Sequence, residues 1–252
     1  MDALARAHAL DAYAAETAGC VRCPLAETRS RVVFGSGNLD AGLMLVGEGP
    51  GFQEDQGGEP YAGQAGALLE QLLAGIGLRR DEVYLTTVLK CRPPQNRDPL
   101  ELEIASCEPH LVRQVELVRP RVVATLGNFA TRLLSGRSHG ITRVHGQEQE
   151  VVLGSTTVVL FPLYHPAAAL YTPSMLRELR DDFSRLPALL GQGLSGGVSG
   201  APVAQAVHAV HAASAVLAAP AASAVLAAPA TEIPTVAAED AVAVGATQLG
   251  LF

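Results

Sequence analysis

The chain has 252 residues, 18 basic against 25 acidic side chains for a net charge of −7, 48% apolar residues, 4% aromatic residues, no Trp and four Cys. This length holds one large α/β domain or two small ones with enough apolar residues for a core, and the charge excludes a uniformly basic DNA-coating protein while leaving room for a local basic face. The opening residues, Met1-Asp2-Ala3-Leu4-Ala5-Arg6, lack the basic stretch and apolar run of a secretory signal, so a cytoplasmic protein is expected.

In chain order, the Ala-rich stretch from Ala3 to Ala18 predicts a helix. Four short β-branched or apolar runs follow: Leu43 to Val46, Val83 to Val88, Val122 to Leu126 and Val158 to Leu163. Each is bounded by Gly, Pro or polar turn residues, the pattern of buried strands in a parallel sheet. Between them, Ala65 to Ile76 places Leu68, Leu69, Leu72 and Leu73 on one helical face, and Leu100 to Val118, Asn128 to Leu134 and Ser174 to Leu186 are also helical in pattern. Strands alternating with helices imply right-handed crossovers, hence an α/β fold: a three-layer α/β/α sandwich around a mainly parallel four-stranded sheet. Ligands of such sheets sit beyond the carboxyl ends of the strands. Those ends are Gly47 to Gly51, Thr87 to Pro94, Gly127-Asn128 and His165 to Leu170.

Composition breaks near Leu186. Residues 1 to 186 hold 22 acids and all 18 bases, 17 of them Arg and one, Lys90, the chain's single lysine; residues 187 to 252 hold three acids and no base. Ala212 to Pro220 recurs unchanged as Ala221 to Pro229, a period too short for a solenoid, and low complexity with recurring Pro reads as a disordered linker. Pro202, Pro220 and Pro229, with Gln205, His208 and His211, leave no run of about 20 strongly apolar residues, so no membrane span is expected. The predicted organisation is a folded body over residues 1 to 190, a linker over 191 to 247 and a terminal peptide over 248 to 252.

All four cysteines fall into one pattern, Cys20-x2-Cys23 and Cys91-x15-Cys107. In a cytoplasmic chain this reads as metal ligation rather than disulfides. Four protein ligands leave no open coordination position, so the site is expected to be structural, and spacing alone does not separate zinc from an iron-sulfur cluster.

Several segments then act together. Cys20 and Cys23, Val33-Phe34-Gly35, Gly47-Glu48-Gly49-Pro50-Gly51 with Glu54-Asp55, Gly58-Glu59-Pro60-Tyr61-Ala62-Gly63, Lys90-Cys91-Arg92-Pro93-Pro94-Gln95-Asn96-Arg97, Cys107, Leu126-Gly127 and His165-Pro166-Ala167-Ala168 lie in a characteristic order. In that order and spacing the chain resembles the iron-sulfur branch of the uracil-DNA glycosylases called family 4, over about residues 15 to 186. The resemblance implies a [4Fe-4S] cluster on Cys20, Cys23, Cys91 and Cys107. It also implies a monomeric enzyme that hydrolyses the N-glycosidic bond of deoxyuridine in DNA, without a lyase step, to start base excision repair.

The same resemblance distributes the roles. Glu48 matches the carboxylate that positions or activates water beside the scissile bond, Glu54 a further pocket residue, and His165 the imidazole that donates to the uracil oxygen as negative charge accumulates on the leaving base. Tyr61 matches the stacking aromatic, where most members have Phe. Gly49 and Gly51 offer backbone N–H groups to uracil or phosphate, and Asp55 reads as a solvated acid in the same turn. Thr87 stands where an Asn reads the base edge, and a rotating hydroxyl is expected to weaken that reading. Leu170 is expected to enter the minor groove as a wedge, with Tyr171 where an Arg is frequent; Arg92, Arg97, Arg137 and Arg143 are expected near the DNA backbone. At the terminus, Gln248, Leu249, Leu251 and Phe252, spaced by Gly250, resemble the peptide by which bacterial repair proteins dock on the β sliding clamp, with the linker as tether. Thr87 and Tyr171 keep open an alternative, a non-catalytic iron-sulfur module binding DNA or damaged bases, and the cysteines alone would also suit a zinc-stapled nucleotide-binding protein.

Overall fold

A computed structural model describes residues 1–191. The linker and the terminal peptide read from the sequence lie outside the described residues.

The predicted first helix is α1 (Ala3–Ala18), started by the Asp2 carboxylate, which accepts the Ala5 N–H at 2.8 Å. After it come α2 (Leu25–Thr28), β1 (Ser36–Gly37), β2 (Leu43–Gly47), α3 (Phe52–Gly57), α4 (Gln64–Gly75) and β3 (Tyr84–Thr87). The second half runs α5 (Glu101–Val118), β4 (Val122–Leu126), α6 (Asn128–Ser135), α7 (Ile141–Val144), β5 (Gln149–Leu153), β6 (Thr156–Leu163), α8 (Pro166–Ala169), α9 (Pro173–Phe183) and α10 (Leu186–Gly191).

The four expected strands form the parallel centre of the sheet, in the order β3-β2-β4-β6. Two antiparallel edges extend it from four strands to six: β1 pairs with β3, and β5 pairs with β6. Neither edge carries a continuous apolar run. β1 has only two residues, and β5 mixes half-exposed Gln149, Glu150 and Val152 with buried Val151 and Leu153.

Period-two alternation divides the central strands between two cores. Leu43 and Leu45 face a core shared with Leu68, Leu69, Leu72 and Leu73 of α4 and with α9 and α10, while Met44 and Val46 face one shared with Leu10 of α1, Leu111 and Val115 of α5 and Leu134 of α6. Each of the buried α4 leucines contributes about 2 kcal/mol of apolar burial, which fixes that helix across the sheet more firmly than its propensity does. The result is the expected three-layer sandwich. Among the described residues, no helix is long and apolar enough to cross a membrane.

Strand order also locates the crevice. From β2 the chain crosses to β3 on one side, then returns past β2 to β4 on the other. A reversal of this kind opens a gap at the carboxyl end of the first strand, and the residue after Gly47 is Glu48.

Candidate active site

A cleft of about 1010 Å³ opens at those carboxyl ends, lined by Glu48 after β2, Leu126 to Phe129 after β4 and His165 after β6. Three strands separated in sequence thus deliver a carboxylate, a glycine turn and an imidazole to one place. Gly127 has φ +91° and its missing Cβ would lie 3.2 Å from the Cβ of His165, so this turn lets the imidazole approach the end of β4.

Glu48 is half-buried, and its carboxylate accepts no hydrogen bond among the described residues. Burial and the neighbouring Asp98 carboxylate push its pKa above the usual value. His165 caps α8, its Nδ1 accepting the Ala167 N–H at 3.1 Å. In a neutral ring the proton then sits on Nε2, free to donate. Burial holds His165 below the ordinary imidazole value, with Glu54 pulling weakly the other way.

The structure gives Glu54 a different task from Glu48. One oxygen accepts the Gly51 N–H at 3.1 Å and the other the Ala62 N–H at 3.0 Å, so the carboxylate ties the loop after β2 to the turn that carries Tyr61. Gly51 therefore has no N–H left to offer a ligand, contrary to the sequence reading. Gly49 packs against Leu89 and makes no such bond. Asp55, read as a solvated acid, is buried at 3% exposure and accepts the Ser30 N–H at 2.9 Å.

Tyr61 stands in the left-handed region at φ +55°, with its ring centroid 6.3 Å from that of His165. Arg80 holds this turn, donating to the Pro60 carbonyl at 2.5 Å and to the Tyr61 carbonyl at 3.5 Å. The hydroxyl that distinguishes this ring from Phe is buried without a partner against Gly47, whose missing Cβ is what makes room for it. Thr87 is buried, and its hydroxyl donates to the Leu89 carbonyl at 2.5 Å. The sequence reading of a freely rotating group is corrected here: the proton is committed to the main chain, and only oxygen lone pairs remain.

The rim divides into committed and free groups. Arg97 makes a two-pronged pair with Glu103, at 2.6 and 2.9 Å, and that carboxylate, 1% exposed, also accepts the Leu100 N–H at the start of α5. Arg97 is thereby a structural residue rather than a free backbone contact. Arg92 is held by Asn96 at 2.7 Å with its guanidinium 5.2 Å above the exposed Phe52 ring. Leu170, 39% exposed, and Tyr171, 82% exposed, follow α8. Arg137 lines the cleft, Arg132 joins it there without having been singled out from sequence, and Arg143 lies exposed on α7.

The four cysteines line a second, small pocket, with Arg22, Arg29, Lys90 and His110 and no carboxylate. N–H groups aim at three of the sulfurs: the Lys90 main chain at Cys107 (3.1 Å), Arg29 at Cys91 (3.5 Å), and His110 Nε2 at Cys20 (3.4 Å) when Tyr13 donates to Nδ1. Burial pushes the Cys107 thiol up to about 11, with Lys90 opposing. Among the described residues no three His, Cys, Asp or Glu donors converge so as to hold a single metal ion. Sulfurs spread around a pocket whose other polar groups donate to them nonetheless suit an anionic group with several ligand positions.

Comparison with known proteins agrees in one direction. The Uracil DNA glycosylase superfamily is matched over residues 34–186. The type-4 uracil-DNA glycosylase of Archaeoglobus fulgidus is 44% identical over 73% of this chain and 94% of its own length. Those of Sulfurisphaera tokodaii and Thermotoga maritima are 41% and 42% identical over 69% and 64% of this chain, and over 81% and 82% of their own lengths.

Proposed function

The chain belongs to the uracil-DNA glycosylase superfamily, in its type-4 branch, and from that premise we propose how its cleft works. The enzyme hydrolyses the bond between uracil and deoxyribose in DNA, releasing the base and leaving an abasic site for repair. The observation that carries the division of labour is the presence in one cleft lining of an unpartnered half-buried carboxylate and a neutral imidazole with its Nε2 proton unspent.

A base must leave the stack to be reached, and the Tyr61 ring is the face on which it rests. Glu48 orients a water and takes its proton as the oxygen bonds to C1′. The C1′–N1 bond breaks with its electron pair going to uracil, and His165 Nε2–H meets the charge developing on O2. That proton inventory closes when the one held by Glu48 passes to the departed base. Thr87, with lone pairs only, accepts from the uracil N3–H, an edge at which cytosine carries a lone pair instead. Leu170 fills the vacated stack, with Tyr171 beside it, and Arg92 and Arg137 meet phosphates. Glu54 acts by holding Gly51 and Ala62 in place. A lyase step through a lysine would need an accessible side-chain amine, and the single lysine is 1% exposed.

Cys20, Cys23, Cys91 and Cys107 would hold a [4Fe-4S] cluster; the donors aimed at their sulfurs and the absence of a carboxylate in the pocket lining support this over zinc's tighter tetrahedron. When bound, such a cluster supplies a covalent tie from the turn after α1 to the segment after β3 and to α5. Iron and acid-labile sulfide assays on the purified protein test it. The clamp-docking terminus and a place on the nucleoid rest on the sequence alone; deleting residues 248 to 252 is expected to abolish binding to the clamp and leave base release intact.

The decisive assay is base release from a uracil-containing oligonucleotide, read as alkali-sensitive strand cleavage, by wild type and His165→Ala. Release by the first and severe loss in the second is expected. No release by wild-type protein that still binds the oligonucleotide would favour a binding module instead.

A further inference from the structure

Beyond the ends of β2 and β3 the two chain segments stay side by side. The Leu89 N–H donates to the Glu48 carbonyl at 2.9 Å, and the missing Cβ of Gly49 would lie 3.3 Å from the Leu89 Cβ. Three residues further along each segment they meet again, where the Arg92 guanidinium lies 5.2 Å from the centre of the Phe52 ring. Phe52 is 59% exposed and belongs to neither core. Arg92 is held in turn: its Nε donates to Asn96 Oδ1 at 2.7 Å, from a turn in which Gln95 and Asn96 both stand in the left-handed region, at φ +56° and +54°. Among the described residues its terminal N–H groups are left without a hydrogen bond. A lone exposed ring is ordinary, but a ring with an anchored cation over one face is a prepared surface.

An aromatic face beside a positive charge fits a nucleotide. The ring stacks on a base of any identity, and the guanidinium edge meets phosphate oxygens. Both side chains lie outside the cleft lining but close to it. Four residues separate Phe52 from Glu48, which bounds their Cα separation at about 14 Å. That span corresponds to about four stacked nucleotides, so a strand that delivers uracil to the cleft has its neighbouring bases within reach. We infer that Phe52 and Arg92 form a stacking platform for an unpaired base flanking the uracil on the same strand. In a duplex that base is already stacked and paired, so the platform favours single-stranded substrate. It is separate from the wedge proposed at Leu170, which follows β6, two strands away from β2 in the sheet. The inference rests on the reading of the cleft as the place where uracil is released from DNA.

The test uses the full chain with a uracil-free single strand, oligothymidylate, and with the duplex that strand forms with oligodeoxyadenylate. The chain has no Trp, so Phe52→Trp places a single indole on the platform and keeps its aromatic face. The single strand is expected to quench that fluorescence by stacking on the indole, and the duplex to quench it little. Phe52→Ala is expected to weaken single-strand binding by about tenfold, the scale of one stacked base, with a much smaller change for the duplex. Its melting midpoint is expected to stay near wild type, because the ring is exposed. With uracil placed in the single strand, the loss falls on KM rather than kcat. An indole signal indifferent to the single strand overturns the platform. Equal loss of single-strand and duplex affinity in Phe52→Ala also overturns it, since that marks a backbone contact instead. Quenching by a protein that releases no uracil upholds the platform and overturns the glycosylase reading; uracil release without quenching does the opposite.

Discussion

The cleft and the cysteine pocket are built on opposite rules. The cleft is open, about 1010 Å³, and its Glu48 and His165 keep bonding capacity in reserve. The cysteine pocket encloses about 10 Å³, and the N–H groups around it are already aimed at sulfur. Unspent polar groups in a roomy cleft are what a reaction requires, whereas spent ones in a closed pocket stabilise a fold. The difference separates residues that act on a substrate from residues that keep the site in shape.

The comparison breaks most visibly if the two regions are disabled in parallel. His165→Ala is expected to lose about 10²- to 10³-fold in single-turnover base release, as when one preorganised donor is removed, with iron content unchanged and the melting midpoint lowered only by the lost cap of α8. Cys107→Ala should do the reverse, losing iron and melting earlier. Equal loss of release in both variants, with iron retained in both, would erase the distinction.

Glu48→Gln is expected to cost about 10²-fold and to remove the acid limb of the pH profile. The sign follows from the environment. In the proposed mechanism Glu48 works ionised, and burial with Asp98 raises its pKa, so activity is expected to fall on acidification at a higher pH than an ordinary carboxylate would dictate. In the same mechanism His165 works neutral, and burial holds it below the usual imidazole value, so its protonation intrudes only at lower pH than that of an ordinary imidazole. Asp98→Asn, which removes the like charge, should move the limb to lower pH; a profile that stays in place would remove Glu48 from the role.

A smaller effect sharpens the division along the rim. Arg97→Ala leaves the buried Glu103 carboxylate unpaired and should lower the melting midpoint by several degrees without changing DNA affinity. Arg137→Ala should spare stability and reduce the salt dependence of DNA binding by a slope of about one. The smallest change is Tyr61→Phe. Deleting an unpartnered buried hydroxyl is expected to raise stability by about 1 kcal/mol, measured by denaturant unfolding.

What could be read from the sequence followed from locality. Central strands announce themselves because both faces are buried and the apolar run is continuous, and α4 because its leucines recur with the helical period. The edge strands could not be read: two residues at β1 carry no pattern, and β5 is half-exposed. Among the proposed site residues, Glu48 and His165 stood out in the sequence because each follows a central strand. Glu54, Gly51 and Arg97 make bonds that the sequence did not suggest, since those bonds reach partners that only the folded chain places beside them. Arg80 and Glu103 gave no signal at all, because an Arg under a strained turn and a buried acid look in sequence like any other polar residue on a surface.

The burial of Lys90 also makes the molecule its own stopwatch. In the folded chain no lysine amine is accessible to an acylating reagent, so apart from the α-amino group of Met1, modification can proceed only when the region around β3 and the cysteines opens. The rate at which an amine-directed label appears on the peptide containing residue 90 therefore reports the frequency of that opening without a mutation.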